Sequence, residues 1–281
     1  MKIKNQQKNR KYHDRVAKRY DEIYENSRYW DYNRRITWAH LKPYLTQLNH
    51  KAVLDLGCGT GYWGLKLLKS GFEPWFLDSS QSMINQVREK CRQAGYQADE
   101  RMACAWAEKA RDCFAPESFS LVVAYGDILS FAANARSVIR TVWEWLDKDG
   151  IFLANADSLL AGIPFYLEKN RPEPLLEFLQ TGQTQWLSHE KDERFEIQTF
   201  LPADLRSLLE QNRFKVLEMY GKPILNIRAI PDGWPEQVVM TRMVRHEVQL
   251  ARHPETIGMG NHLEFIARKS VTASDPVPPG E

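Results

Sequence analysis

Val53-Leu54-Asp55-Leu56-Gly57-Cys58-Gly59-Thr60-Gly61-Tyr62-Trp63 decides the fold of this 281-residue chain. Val53 to Leu56 is a short apolar run with one acid at its third place. Three glycines follow at alternate positions, and a helical pattern starts behind them. Glycine reaches positive φ and lets a ligand approach the backbone, because no Cβ intervenes. A buried strand, a glycine turn and a helix N-terminus in succession make a site for a nucleotide-like ligand. Asp78 closes the next strand-like run, Phe72 to Leu77, where an acid suits the hydroxyls of a ribose.

Two chemistries use such a loop. The dinucleotide fingerprint G-x-G-x-x-G/A needs Gly or Ala where this chain has Tyr62. The spacing present is G-x-G-x-G, and Asp55 stands two residues ahead of it. A carboxylate there weakens a phosphate site but suits a ligand that carries an ammonium group and no phosphate. A βα turn that binds nothing has no use for Asp55 and Asp78 together. The stretch resembles motif I, D-x-G-x-G-x-G, of the class I S-adenosylmethionine-dependent methyltransferases, and Asp78 matches their ribose-binding acid. The segment Arg15-Val16-Ala17-Lys18-Arg19-Tyr20-Asp21 resembles the helix ahead of motif I in ubiquinone/menaquinone-type and other small-molecule members.

Composition agrees with a soluble enzyme of this size. The apolar fraction is 43% and the charged fraction 26%, both ordinary for a globular protein. No apolar run approaches the roughly 18 residues of a membrane span, and no signal-peptide segment opens the chain. Cys58, Cys91, Cys104 and Cys113 show no C-x-x-C spacing, which points to a reducing cytoplasm and away from zinc. Net charge is +2, but residues 1–20 hold eight Lys/Arg against one Asp, leaving about −5 for the rest. That is no basic face for nucleic acid, so the first residues read as a solvated tail.

In chain order, residues 1–9 read as disordered and 10–48 as helical, with Val16, Tyr20, Ile23 and Tyr24 at helical spacing. A Rossmann-like core is expected over 49–157, with strands at Ala52–Leu56, Phe72–Leu77, Arg101–Ala105, Phe119–Ala124 and Ile151–Ala156. Residues 158–198, broken by Pro164, Pro172 and Pro174, read as an inserted cap. Residues 199–270 return to the same sheet through strands at Phe214–Tyr220 and His262–Ala267. Residues 271–281 are a Pro-rich tail. The resemblance implies an α/β, doubly wound seven-stranded sheet of order 3-2-1-4-5-7-6, its last strand antiparallel. Alternating strand and helix patterns independently indicate a mostly parallel sheet.

The resemblance also implies a cofactor, S-adenosyl-L-methionine, and the residues that hold it. Asp55, Gly57, Cys58, Gly59 and Gly61 come from motif I, and Asp78 and Ser79 from the end of the second strand. Met83 takes the apolar place against the adenine. Ala107 and Glu108 fall near the acid that accepts the adenine amino group. Tyr125 falls beside the methionine arm, and Tyr20 belongs to a helical lid. Asp127, Tyr24 and His189 are the candidate general bases. His13, His40 and His262 have no acid or cysteine at ligand spacing and read as surface or packed side chains; no metal is expected. The inferred reaction is direct in-line transfer of a methyl group to a small-molecule acceptor. An RNA acceptor using the basic N-terminus, and a non-catalytic cofactor-binding protein, are the alternatives. The missing Asn/Asp-Pro-Pro-Tyr/Phe motif and Pro-Cys pair count against methylation of a base.

Overall fold

The computed structural model describes residues 2–25, 27–186, 193–225, 227 and 237–270. Its centre is a seven-stranded sheet. β1 is Ala52–Leu56, β2 Glu73–Asp78, β3 Met102–Cys104, β4 Phe119–Ala124 and β5 Leu146–Asp157. After the two short strands β6 (Gln183–Trp186) and β7 (Phe195–Gln198), β8 (Phe214–Lys222) and β9 (His262–Lys269) complete it. The spatial order is β3-β2-β1-β4-β5-β9-β8, with β6 and β7 in a separate hairpin. Counted without that hairpin, the order is 3-2-1-4-5-7-6. β9 runs antiparallel to both its neighbours.

The central strands are apolar because both of their faces are covered. All six residues of β4 are buried. On one face Val138, Ile139, Val142 and Trp145 of α6 (Ala135–Trp145) pack with Leu54, Val122 and Phe152. On the other, Leu41 of α2 (Arg28–Leu45) and Trp63 and Leu67 of α3 (Tyr62–Lys69) pack with Val53, Leu121 and Leu153. α4 (Gln81–Gln93) is capped by Ser80, whose hydroxyl accepts from the Met83 N–H at 3.1 Å. Such a cap stabilises by about 1 kcal/mol.

β5 starts earlier than the pattern predicts. Phe119 pairs with Leu146 and Leu121 with Ile151, so Asp147–Gly150 bulge out of the ladder. Asp149 takes a φ of 64° in that bulge, and the Asp-Gly turn signal reads as a break where the strand merely kinks.

The N-terminal expectation is overturned in part. Residues 1–9 read as a disordered tail, yet α1 runs over Lys2–Val16. Asn5 pairs through its amide with the backbone of Glu196 on β7, and Gln6 donates to Glu108. Those partners lie more than 100 residues away, which no local pattern reveals. A 3₁₀ turn (Ala17–Arg19) and a π turn (Asp21–Glu25) connect α1 to α2. The segment after β5 supplies α7 (Leu159–Glu168), α8 (Pro172–Thr181), β6 and β7. Among the described residues, no helix is long and apolar enough to cross a membrane.

Candidate active site

The loop after β1 is held open from below. The Gly57 and Cys58 N–H groups both donate to the Leu77 carbonyl, at 2.7 and 3.0 Å. Gly57, Gly59 and Gly61 have φ of 66°, 51° and 86°. A Cβ on Gly57 would stand 2.1 Å from Ile128 Cδ1, so this position requires glycine for space as well as for φ.

Each acid braces the turn. Asp55 is 2% exposed and accepts the Gly64 N–H at 2.7 Å. Burial pushes its carboxyl up to about 8, against the pull of that N–H. Asp78 accepts from the Gly59 N–H at 2.9 Å and the Ser80 N–H at 2.8 Å, one on each carboxylate oxygen. Burial raises Asp78 as well, and His13 and the two N–H groups oppose it. Each oxygen has the capacity to accept a further hydrogen bond.

Two cavities meet at this loop. The smaller, about 80 Å³, is lined by Asp78, Ser79, Ala107 and Glu108, with Asn9 and His13 of α1. The larger, about 390 Å³, is lined by Asp55, Cys58, Tyr24, Arg34 and Asp127 among others. Gly57, Gly59, Tyr20 and Tyr125 line both. The tyrosine ring of Tyr20 lies over Gly59, 3.6 Å from where a Cβ would be. Tyr24 joins Tyr12 through their hydroxyls at 2.7 Å.

Two sequence-derived positions fall elsewhere. Met83 is wholly buried and packs with Tyr12, Val16 and Ala17, beneath the lid rather than in a cavity wall. The ordered α1 covers the place where an adenine contact is expected of it. Gly61 lines neither cavity; it caps α3 in the left-handed conformation, with Val87 3.2 Å from the site of a Cβ. His189 lies outside the described residues.

Several wall residues carry no sequence signal. Arg34 is 7% exposed, with its guanidinium 4.3 Å above the Tyr62 ring. Trp30, Phe131 and Phe195 come from three distant segments. Asn9 belongs to the stretch that reads as disordered, and His13 to the helical stretch that follows, where it reads as a surface or packed side chain. Beneath Tyr125, Lys222 lies 4.6 Å from the ring and pairs with Glu264 and Thr37. That buried cluster ties α2 to β8 and β9.

The donors and the space fit an adenosyl-sulfonium cofactor. The Gly57 cradle admits a ligand backbone-close, and a buried carboxyl raised by desolvation offers a partner for a cation. Asp78 offers a carboxylate acceptor at the wall of the smaller cavity. Bound there, the cofactor supplies an electrophilic methyl group.

The methyltransferase-domain family profile matches residues 53–150. A tRNA 5-carboxymethoxyuridine methyltransferase of Escherichia coli K12 is 26% identical over 245 residues, 83% of this chain and 87% of that protein. An S-adenosylmethionine-dependent methyltransferase from Clostridium acetobutylicum ATCC 824 has a TM-score of 0.56 at 15% identity, covering 92% of this chain and 100% of that one. The methyltransferase in a Haloferax volcanii complex with the Trm112 activator has a TM-score of 0.58 at 18% identity, covering 95% and 100%. Identities this low speak for the fold alone; the family profile and the motif speak for the chemistry. Residues 53–150 are a methyltransferase domain, and the chain has the class I fold of the S-adenosylmethionine-dependent methyltransferases.

Proposed function

We propose that the enzyme methylates a small, flat, largely apolar acceptor held in the larger cavity. The observation that carries this reading is the cavity wall. Tyr20, Tyr24, Trp30 and Tyr62 line it with Trp63, Tyr125, Phe131 and Phe195. Rings arranged in this way favour a planar or cationic partner. The cavity volume is in the range of small-molecule sites, and part of it takes the methionine end of the cofactor. In this reading Asp55 meets the cofactor ammonium and Asp78 the ribose. Ser79, Ala107 and Glu108 flank the adenine, and Arg34 faces the methionine carboxylate or an anionic edge of the acceptor.

The chain's own part in the reaction is alignment and exclusion of water. Together these contribute roughly 7–11 kcal/mol in well-oriented systems. The lid provides the exclusion. Asp14 accepts from the Ser80 hydroxyl at 2.5 Å, and Asp21 accepts from the Thr60 hydroxyl at 2.5 Å. Two acids of the N-terminal segment therefore latch it onto the cofactor loops.

An RNA acceptor is the second reading. It is favoured by the tRNA-modifying relative and by exposed Lys4, Lys8 and Lys18 along the N-terminal segment. The experiment that separates the two gives methyl-tritiated cofactor to the enzyme with a metabolite extract or with bulk tRNA. The first reading expects label in a small organic product and none in tRNA. Label in tRNA that falls steeply with salt would replace it with the second.

A further inference from the structure

Asp127, Asp157 and His262 are far apart in the chain and meet at the wall of the larger cavity. Asp127 follows β4 and lines the cavity. Asp157 ends β5, and His262 starts β9 directly opposite it. His262 Nδ1 lies 3.0 Å from Asp127 Oδ1 and 3.9 Å from Asp157 Oδ1. Behind them, the Asn155 side chain donates to Asp127 Oδ1 at 2.7 Å and its carbonyl oxygen accepts the Gly126 N–H at 2.8 Å. The Trp30 ring, another part of the cavity wall, lies 6.0 Å from the imidazole.

We infer that these three residues form the acid–base unit of the methyl transfer, with Asp127 taking the acceptor's proton and His262 and Asp157 as positioning residues. The inference rests on the proposed acceptor site and deepens it: the acceptor is a protic nucleophile, with an O–H or N–H group that reacts. In the step, the bond from the acceptor atom to hydrogen breaks and the proton goes to Asp127. The electron pair left behind forms the bond to the methyl carbon. The carbon–sulfur bond breaks and its pair returns to sulfur, so charge and atoms balance without any further reagent.

The charges around His262 support a shared proton. Burial lowers the imidazole, Asp127 and then Asp157 raise it, Lys222 on the adjoining strand lowers it slightly, and the balance is upward. Burial, then Asp127, raise Asp157 to about 7. Groups this close share protons as one unit, and its member at the cavity wall, Asp127, is placed to take a proton from a bound acceptor. The three also lie within 4.8 Å of one another, close enough for a metal ion. A proton is the better occupant. Asp127 Oδ1 already faces the Asn155 amide and the imidazole nitrogen, two directions a metal would have to displace.

The probe is 4-nitrophenol, a phenol whose ionised form is coloured, bound to the full-length protein with S-adenosylhomocysteine present at pH 6. The wild type is expected to bind it several-fold more tightly than Asp127→Asn, because a carboxylate is a stronger acceptor for the phenol O–H than an amide is. NMR of ¹³C-labelled histidine then reads the imidazole, assigned through His262→Gln. Its midpoint should lie above the ordinary value and fall by a unit or more in Asp127→Asn and in Asp157→Asn. Transfer to any labelled product found above should drop roughly 10²–10⁴-fold in Asp127→Asn. Asp157→Glu should restore more of it than Asp157→Asn does. Equal binding of the phenol by wild type and Asp127→Asn, no binding at millimolar concentration, or an imidazole indifferent to Asp127→Asn would overturn the inference. So would activity lost to a chelator and restored by Mn²⁺. If S-adenosylhomocysteine still binds in those cases, the proposed function survives and this inference alone fails.

Discussion

Replacing Asp55 by Asn removes a charge that the fold holds at a cost. In the cofactor-free protein burial raises this carboxyl to about 8. A bound ammonium needs the anion, so binding below pH 8 must release a proton. A group of that pKa is about 99% protonated at pH 6 and about half protonated at pH 8. Cofactor affinity should therefore rise roughly 50-fold over this interval, or about 2.3 kcal/mol. Asp55→Asn should bind without that slope. At pH 8 it should bind about 10- to 150-fold more weakly, the range of one charge-assisted hydrogen bond at about 1.5–3 kcal/mol. Stability of the cofactor-free fold moves the other way. The unfolded chain sheds this proton near 3.8 and the fold only near 8. Asp55 thus stabilises at low pH, and its contribution is lost as pH rises from about 4 to 8. Calorimetry from pH 6 to 8, in buffers of different ionisation heat, reads affinity and proton release together. Wild-type affinity that is flat with pH and releases no proton would refute the reasoning, as would Asp55→Asn binding as tightly as wild type.

Gly57→Ala places a methyl group 2.1 Å from Ile128 Cδ1 at a φ of 66°. It should cost about 1–3 kcal/mol, and thermal unfolding should show a Tm lower by several degrees. Asp21→Ala releases Thr60 and Lys90 from the lid; stopped-flow release of S-adenosylhomocysteine should quicken several-fold with little change in Tm. Lys222→Met leaves the Glu264 carboxylate buried without its counter-charge, on the hydroxyls of Thr37 and Tyr220 alone, and should destabilise by about 3–5 kcal/mol in denaturant titration. Lys222→Met with Glu264→Leu should recover much of that loss, because no charge is then stranded.

What the sequence reveals and conceals follows from distance along the chain. β1, the glycine loop and α3 are one continuous stretch, so spacing alone exposes them. The strands are legible too, because each keeps an apolar run bounded by a turn, whereas their order in the sheet comes from the family resemblance and not from the pattern. The walls of the site are different. Arg34, Phe131 and Phe195 carry no local pattern, and only packing brings them to one cavity. His262 has no acid at ligand spacing in the sequence, yet a strand pairing sets it opposite Asp157. α1 is polar enough to read as tail, and its order comes from side-chain partners such as Glu108 and Glu196. Met83 errs the other way, since its place in the motif order says nothing of the lid that covers it.

A crystal structure with S-adenosylhomocysteine tests the central claim most directly. The account predicts ribose hydroxyls on the Asp78 carboxylate, the amino group beside Asp55 and the adenine between Ser79 and Glu108. A ligand lying elsewhere, or one that bridges neither acid, would contradict it.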